Sequence, residues 1–343
     1  MKYKLISIDL AKNVFQVAVF DSQNALVSNK KIRRNKLLDV MRQYEPTTVV
    51  MEACYSSNYW GRAIQKLGHT VKLIPARMVK AMLVGNKNDA NDAVAIAEAA
   101  QRPKIHVVAV KTIEQQDIQA LQRIRSQLVK QRSATANQLR GLLAEYGVVT
   151  QPSSACLIGA IPCILEDANN ELSDLSRAFV LRMSEHYKRL SQEIDEVTQQ
   201  LVHCASSHED YERLSSIPGV GPIVASSIIG SVNSIGEFKN GRQLSAWLGL
   251  TPSQYSSGDK SYLGKITKRG NRDLRRLLIQ GARAVVNWCE RKTDPLSRWL
   301  QTLKPKMNSS KLVVALANKL GRIIWAVVVK KTTYDPSLAC KLA

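Results

Sequence analysis

The chain has 343 residues, enough for two or three domains with a substantial core. Its 49 Lys and Arg against 28 Asp and Glu give a formal net charge of +21, a surplus that favours a polyanionic partner. Residues 206–343 carry 22 basic and 9 acidic side chains, whereas residues 101–205 carry 12 and 11. The C-terminal third is therefore the expected phosphate-binding region.

Several classes of protein are disfavoured by what the chain lacks. The six cysteines and five histidines are scattered, with no Cys-x-x-Cys pair or zinc-finger spacing. We therefore expect reduced thiols. The first residues lead directly into a short strand that contains an acid, so no signal peptide is predicted. No stretch is expected to be long and apolar enough to span a membrane. These features predict a cytoplasmic protein.

The first hundred residues predict a mixed α/β domain. Apolar and alternating runs predict strands at 3–10, 13–20, 25–31, 47–51 and 71–74, with helices at 35–44 and 59–67. A three-stranded antiparallel meander followed by alternating helices and strands is the order of the ribonuclease-H-like fold. Actin-like kinases share that sheet, but no second half-domain or glycine-rich phosphate loop is found to support a kinase.

Four acids in this region are the candidate metal ligands. Asp9 and Glu52 each close an apolar, β-branched run, and Asp89 and Asp92 lie three apart at the start of a helix predicted over 89–101. Acids so placed can form an oxygen-lined site for hard divalent cations, which in pairs about 4 Å apart clamp a phosphodiester. The alternative is that they are strand-end and helix-cap residues on a solvated edge.

Three basic residues precede that helix. Arg77, Lys80 and Lys87 can contact a nucleic-acid backbone, and a solvated helix face explains them equally well.

Two long helices follow. Residues 113–146 lack an internal proline and predict one long helix, and a break containing Pro152 and Pro162 separates it from a second. The second helix carries apolar residues at spacings of three or four, which is typical of a coiled-coil seam. That seam comprises Leu172, Leu175, Phe179, Met183, Tyr187, Leu190, Ile194, Val197 and Leu201. The helices can pair with each other or between subunits; we favour an antiparallel hairpin that also contributes to oligomerisation.

The C-terminal domain opens with a segment that resembles a helix-hairpin-helix element. In Ile-Pro-Gly-Val-Gly, Gly219 and Gly221 let backbone N–H groups approach a phosphate without a Cβ in the way. The alternative is an ordinary glycine-rich connection between two helices.

A glycine- and serine-rich loop then precedes a basic segment. A hydroxyl of Ser256, Ser257 or Ser261 can reach a phosphodiester held by flanking cations, although composition alone favours turn residues. The cations are Lys265, Lys268, Arg269, Arg272, Arg275 and Arg276. The remainder, with amphipathic runs at 273–290 and 311–329, is predicted to be helical.

Taken in order, these motifs resemble those of a known family over nearly the whole chain. They are Ile-Asp-Leu-Ala-Lys at Asp9, Met-Glu-Ala at Glu52 and Asn-Asp-Ala-Asn-Asp at Asp89 and Asp92, then Ile-Pro-Gly-Val-Gly, Leu-Gly-Leu-Thr-Pro, Ser-Gly and Lys-Arg-Gly-Asn. This order resembles the DEDD transposases and recombinases of insertion sequences related to Piv-type DNA invertases. The family more often has Thr-Asp-x-x-Asp at the acid pair, a departure that leaves both acids intact.

The resemblance implies a fold, a cofactor and partners. It implies a RuvC-like domain over 1–112 whose four acids bind magnesium, a helical coiled-coil linker over 113–206, and a C-terminal transposase domain over 207–343. The family's Ser-Gly falls on Ser257 and Gly258, which makes Ser257 the nucleophile; Ser256 leaves the register open by one residue. It also implies a homo-oligomer, DNA substrates, a structured guide RNA encoded by the element, and association with the nucleoid during action.

The implied reaction is a transesterification in which Ser257 attacks a DNA phosphate and magnesium stabilises the leaving oxygen. The covalent phosphoserine retains the phosphodiester bond energy, so rejoining needs no ATP, and the chain has no Walker motif. One rival is a RuvC-like junction nuclease that activates water and needs no serine. Another is a non-catalytic nucleic-acid-binding protein that relies on the basic C-terminal third.

Overall fold

A computed structural model describes residues 3–84, 88–103, 105, 107–232, 235–258 and 260–338. Lys87, one of the predicted backbone-contacting cations, lies outside the described residues. The chain forms two compact units, residues 1–113 and 114–343. The regions predicted as a linker and as a C-terminal domain share the second unit, where Ile118 and Leu201 belong to the same core as the C-terminal helices.

The first unit is built on a mixed five-stranded sheet, as predicted. Its strands are β1 (Tyr3–Asp9), β2 (Val14–Asp21), β3 (Leu26–Arg33), β4 (Thr48–Glu52) and β5 (Thr70–Ile74). They lie in the order β3-β2-β1-β4-β5, with the first three antiparallel and with β4 parallel to both β1 and β5. The central strands are apolar on both sides because helices cover both faces of the sheet.

One face packs against α1 (Leu37–Met41) and α2 (Ser57–Gln65), and the other against α3 (Ala76–Lys80) and α4 (Asp89–Gln101). The helix predicted over 35–44 is only five residues long, because residues Arg34–Lys36 form a 3-10 turn before it. The bounds predicted for α4 are those of the structure. Its alanines Ala93, Ala95, Ala97 and Ala99 are buried, so the helix approaches the sheet closely.

The second unit begins with three helices, α5 (Ile113–Ala144), α6 (Ser154–Glu166) and α7 (Asp174–Ser206). The predicted break does separate α5 from α7, and Pro152 lies in it outside any helix, but Pro162 lies inside α6, an apolar helix that was not predicted and that packs its own core with α5 and α7. Arg125 donates to Thr198, and Ser176 donates to Tyr146, so α5 and α7 run antiparallel. The proposed seam is broken near its start, since Leu175 is 75% exposed.

The rest of the unit packs around its last helix. Its elements are α8 (Tyr211–Ser215), α9 (Pro222–Ser231), α10 (Gly241–Trp247), β6 (Pro252–Ser257), β7 (Lys260–Ile266), α11 (Arg272–Trp288), α12 (Pro295–Leu303) and α13 (Ser309–Val329). Strands β6 and β7 pair as an antiparallel hairpin.

Helix α13 corrects the expectation that no stretch is long and apolar enough to cross a membrane. By length and composition alone, this 21-residue helix could cross a membrane, since its most apolar window has a mean hydropathy of 1.9. Within the protein, 61% of that window is buried, because the helix lies in the main core between α10 and α11. Its apolar sequence is explained by burial on most sides.

Candidate active site

The acids of β1 and β4 meet at one edge of the sheet. Ile8 pairs with Met51 across these parallel strands, so Asp9 and Glu52 follow side by side at the two carboxyl ends. Side chains alternate along a strand, and Leu5 and Val50 belong to the core beneath α4. Asp9 and Glu52 therefore share the α4 face of the sheet.

Helix α4 is fixed over that face at its first turns. Ser7, two residues before Asp9, donates its hydroxyl to the carbonyl of Ala93 over 2.6 Å and is fully buried. The helix begins at Asn88, whose side chain accepts from the Asn91 N–H at 2.8 Å. These contacts bring the first turn, with Asp89 and Asp92, to the acidic edge of the sheet.

The two acids of α4 have different surroundings. Asp89 is 60% exposed and lies 3.3 Å from the ammonium of Lys31 on β3. Asp92 is half-buried, and its Oδ1 is buried without a hydrogen-bond partner among the described residues. A buried carboxylate oxygen with no donor is costly, so this atom calls for a cation or a donor that the described residues do not supply.

The four acids fit a hard divalent cation by donor chemistry, since all supply carboxylate oxygens. Within the described ranges, no three His, Cys, Asp or Glu side chains already form a metal-binding group. The structure thus places Asp9 and Glu52 side by side at the edge of the sheet, with Asp92 in the first turn of the helix that covers that face, while Asp89 pairs with Lys31. Recruiting Asp89 to a cation requires that this exposed ion pair open, which costs little.

The segment predicted as a serine-rich loop is the β6–β7 hairpin. Gly258 at its tip has φ +57°, the left-handed conformation that a tight hairpin turn requires. Ser256 faces Ser261 and accepts from Gln254 Nε2 at 2.9 Å. Ser257 is paired with Lys260 and lies on the opposite face, where its hydroxyl forms no hydrogen bond with any described residue.

The base of this hairpin is locked by two glycines from the motifs on either side of it. A Cβ on Gly270 (φ +93°) would lie 1.9 Å from the carbonyl oxygen of Trp247. A Cβ on Gly249 (φ +72°) would lie 2.0 Å from the carbonyl oxygen of Arg269. Only glycine allows the two backbones to approach so closely.

The basic segment after the hairpin divides into exposed and internal residues. Lys265, Lys268, Arg269, Arg272 and Arg276 are exposed. Arg275 is buried, and its Nη1 donates to the carbonyls of Leu248 at 3.1 Å and Arg269 at 3.3 Å. Burial, and then the charge of Arg272, lowers the pKa of the Arg275 guanidinium. The prediction of a nucleic-acid contact for Arg275 is therefore corrected: its charge holds the hairpin base against α11.

The predicted helix-hairpin-helix glycines also differ from each other. Gly219 (φ +86°) lies against Gly281 of α11, where a Cβ on Gly281 would stand 1.9 Å from the Gly219 carbonyl oxygen. Close packing explains Gly219. Gly221 is exposed at the start of α9, and a Cβ there would meet nothing within 4 Å. A phosphate contact at this turn remains a prediction.

One basic cluster was missed by the sequence analysis, which placed α5 in a linker. Arg276 of α11 donates to Ser126 of α5 at 3.2 Å, next to Arg125. Burial, and then the charges of Arg132 and Arg276, lower the pKa of Arg125, while Asp195 opposes the shift. No local pattern predicts this cluster, because its members are about 150 residues apart in the chain.

The mixed sheet with acids at its edge agrees with a DEDD nuclease-like domain, and comparison with known proteins shows that the chain is an enzyme of this class, which acts on DNA. Residues 6–148 match the DEDD transposase model of IS110 elements, and domains of this class typically use a divalent metal. Residues 211–296 match the model described as the transposase IS116/IS110/IS902 family.

Whole-length relatives agree with these matches. The chain is 41% identical, over 98% of its length and 100% of the relative's, to a probable family 20 transposase of Pseudomonas aeruginosa. It is 40% identical, over 96% of its length and 91% of the relative's, to the transposase for insertion sequence element IS1111A of Coxiella burnetii. It is 35% identical, over 96% of its length and 98% of the relative's, to the transposase for insertion sequence element IS1328 of Yersinia enterocolitica. The chain belongs to the IS110 family of DEDD transposases and is a DNA transposase.

Proposed function

We propose that this insertion-sequence transposase cuts and rejoins DNA by transesterification through Ser257, with Mg²⁺ held by Asp9, Glu52, Asp89 and Asp92. The observation that carries the proposal is the acidic edge, where two acids end neighbouring parallel strands and two more begin the helix above them. Magnesium bound there would polarise the target phosphate and stabilise the leaving oxygen.

The serine half of the proposal rests on the hairpin. Ser257 loses its hydroxyl proton as Oγ forms a bond to phosphorus, while the bond from phosphorus to a deoxyribose oxygen breaks and that oxygen takes up a proton and leaves as a hydroxyl. A second DNA hydroxyl then reverses the step and releases the serine. Ser257 is better suited than Ser256, because the Ser256 hydroxyl is already engaged by Gln254 and Ser261.

The exposed cations supply the phosphate-binding surface. We propose that Lys265, Lys268, Arg269, Arg272 and Arg276 hold the DNA backbone, together with Arg125 and Arg132 of α5. Burial, and then the charges of Arg132 and Arg276, lower the pKa of Arg125, so a bound polyanion would relieve the repulsion among these three side chains. Gly221 at the start of α9 is a further proposed backbone contact, as predicted for the helix-hairpin-helix turn.

We further propose that the enzyme works as a homo-oligomer, either a dimer or a tetramer. It would associate with the nucleoid while it acts, and an RNA encoded by the element would guide it to its target. A two-stranded hairpin is marginally stable alone, and this one exposes Tyr255 (69%), Tyr262 (68%) and Leu263 (64%). Such a surface favours docking against another subunit or nucleic acid. No residue pattern in the chain predicts direct base reading, which agrees with sequence choice by RNA pairing.

The test compares Ser257→Ala with Ser256→Ala, using element-end DNA, the co-encoded RNA and magnesium. We expect Ser257→Ala to lose both strand transfer and the DNA–peptide adduct found by mass spectrometry, and Ser256→Ala to keep both. The acids lie within one unit and need no serine, which favours hydrolysis as the second candidate function. If Ser257→Ala still cleaves DNA at the wild-type rate, the chain is a hydrolytic nuclease and the serine mechanism is wrong.

A further inference from the structure

Gln16 of β2 lies beside the acidic edge and is 5% exposed. It is the cross-strand partner of Asp9, so the two side chains leave the sheet on the same face. Ala18 and Phe20, the next residues of β2 on that face, belong to the core beneath α4. The side chain of Gln16 is therefore enclosed between the sheet and the helix that carries Asp89 and Asp92.

Hydrogen bonds fix the orientation of the Gln16 amide. The Ala90 carbonyl can only accept, so Asn29 of β3 must present Nδ2 to it, as observed at 3.1 Å. The Oδ1 of Asn29 then faces Gln16 and accepts from its Nε2 at 2.5 Å. A flipped Gln16 amide would bring two oxygens together, so Oε1 must point away from Asn29.

That oxygen is buried and accepts no hydrogen bond from any described residue. Asp92 Oδ1 is in the same condition on the helix above the same face. Two acceptors cannot satisfy each other, and a buried acceptor that is left unpaired destabilises the fold. A divalent cation with its bound water, at the metal site proposed above, would stabilise both oxygens.

We propose that Gln16 supplies a neutral oxygen to the divalent-cation centre, and that Asn29 is its positioning residue. This inference rests on the proposed metal site at the four acids. Because the amide adds a donor without adding charge, it raises the number of oxygens around the cation while leaving the repulsion among the carboxylates unchanged. The link from Gln16 through Asn29 to Ala90 also ties the first turn of α4 to the sheet, which fixes the height of the acid pair over Asp9.

The experiment measures Mn²⁺ binding to the full-length protein by calorimetry, with free Mn²⁺ counted by electron paramagnetic resonance. We expect Gln16→Met to weaken binding about tenfold, as outer oxygens of metal sites do when removed. Gln16→Glu is tested together with Asn29→Ala, so that no oxygen of residue 29 faces the new carboxylate, and this double variant should bind at least as tightly as Asn29→Ala alone. Asn29→Ala should weaken binding by a smaller factor, since it only releases the amide. The matched control is Gln65→Met, the same change at an exposed position of α2.

The outcomes separate this inference from the proposed function. If Asp9→Asn loses Mn²⁺ while Gln16→Met binds it like the wild type, the acids form the centre and Gln16 has no part in it. If Asp9→Asn itself binds normally, the proposed metal site is wrong. If Gln16→Met is unfolded by its melting temperature, the other two variants decide: wild-type affinity in Asn29→Ala, together with an affinity below that of Asn29→Ala in the double variant, overturns the inference.

Discussion

The acidic edge and the serine hairpin hold the two sets of residues proposed for the chemistry, and they differ in burial: the first lies in a packed sheet and the second on an exposed hairpin. Asp9 and Glu52 stand at the ends of central strands, beneath a helix that hydrogen bonds from Ser7 and Asn29 hold to the sheet. Ser257 stands at the tip of a two-stranded arm whose residues are almost all exposed. The hairpin is fixed at its base by the close backbone approaches at Gly249 and Gly270 and by the buried Arg275.

This difference in burial matches the different needs of a metal site and of a nucleophile that must contact DNA. A cation centre needs oxygens held to a few tenths of an ångström, which buried strands and hydrogen-bonded helix turns provide. A hydroxyl that must meet DNA needs an exposed carrier whose position is completed when a partner binds. Substitutions at the acidic edge should therefore alter the reaction rate and the metal affinity. Substitutions in the hairpin should alter either the stability of its base or the contacts of its exposed residues with a partner.

The largest effect is expected at the acidic edge. Asp9→Asn removes a charged oxygen from the proposed cation centre and should lower strand transfer about 10³-fold, equivalent to about 4 kcal/mol of transition-state stabilisation. The melting temperature should change by only a few degrees, because the residue is half-buried at a strand end. An Asp9→Asn protein that transposes normally in cells would favour a non-catalytic nucleic-acid-binding role.

At the hairpin base, Gly270→Ala should destabilise the second unit by about 3 kcal/mol or more. The new Cβ would overlap the Trp247 carbonyl, and φ +93° is strained for alanine. The matched variant is Gly258→Ala at the tip, where φ is +57° and nothing lies within 4 Å of the Cβ. It should cost about 1 kcal/mol and leave α11 and α13 protected in hydrogen exchange. Equal losses at both positions would contradict a rigid base and a free arm.

Substitution of two arginines of α11 should have different effects, one on the stability of the protein and the other on DNA binding. Arg275→Ala leaves two carbonyls without their buried donor and should lower the free energy of unfolding by about 2–3 kcal/mol. Arg272→Ala should leave stability within about 0.5 kcal/mol, weaken DNA binding uniformly across sequences, and reduce the slope of log affinity against log salt by about one. A reduced salt slope for folded Arg275→Ala would return that residue to the DNA interface.

The smallest effect concerns a helix cap remote from both sites. Burial raises the pKa of Asp294, but hydrogen bonds from Ser297 and Leu296 outweigh it and leave the pKa below its usual value. Since the folded-state pKa is depressed, the stabilisation is present above the unfolded pKa of about 4 and is lost as the pH falls through the folded value. Asp294→Ala should cost about 1 kcal/mol at pH 7, measured by urea unfolding.

Asp294→Asn keeps a capping oxygen but does not titrate, so it should retain most of the stability at pH 7 and lose the acid-dependent part. If the free energy of unfolding of Asp294→Asn falls at acid pH as much as that of the wild type, ionisation of the Asp294 cap does not contribute to the pH dependence of stability.

The sequence alone determined the elements and the candidate acids, because these depend on local patterns. Apolar runs ending in Asp9 and Glu52 predicted the central strands, and the segment that turns alanine-rich after Asp89 predicted α4 with its correct bounds. The basic surplus after residue 206 was equally readable. Motif order further predicted the family, which the comparisons confirmed.

Only the tertiary structure decided which residues are available for binding and which maintain the fold. Arg275 and Gly219 fit a nucleic-acid pattern in sequence, yet burial and backbone contact give them internal roles. The ion pair of Asp89 with Lys31 and the fixed amide of Gln16 likewise join residues far apart in the chain. The physical reason is the same in each case: burial and hydrogen-bond direction depend on neighbours from distant segments, which local periodicity does not encode.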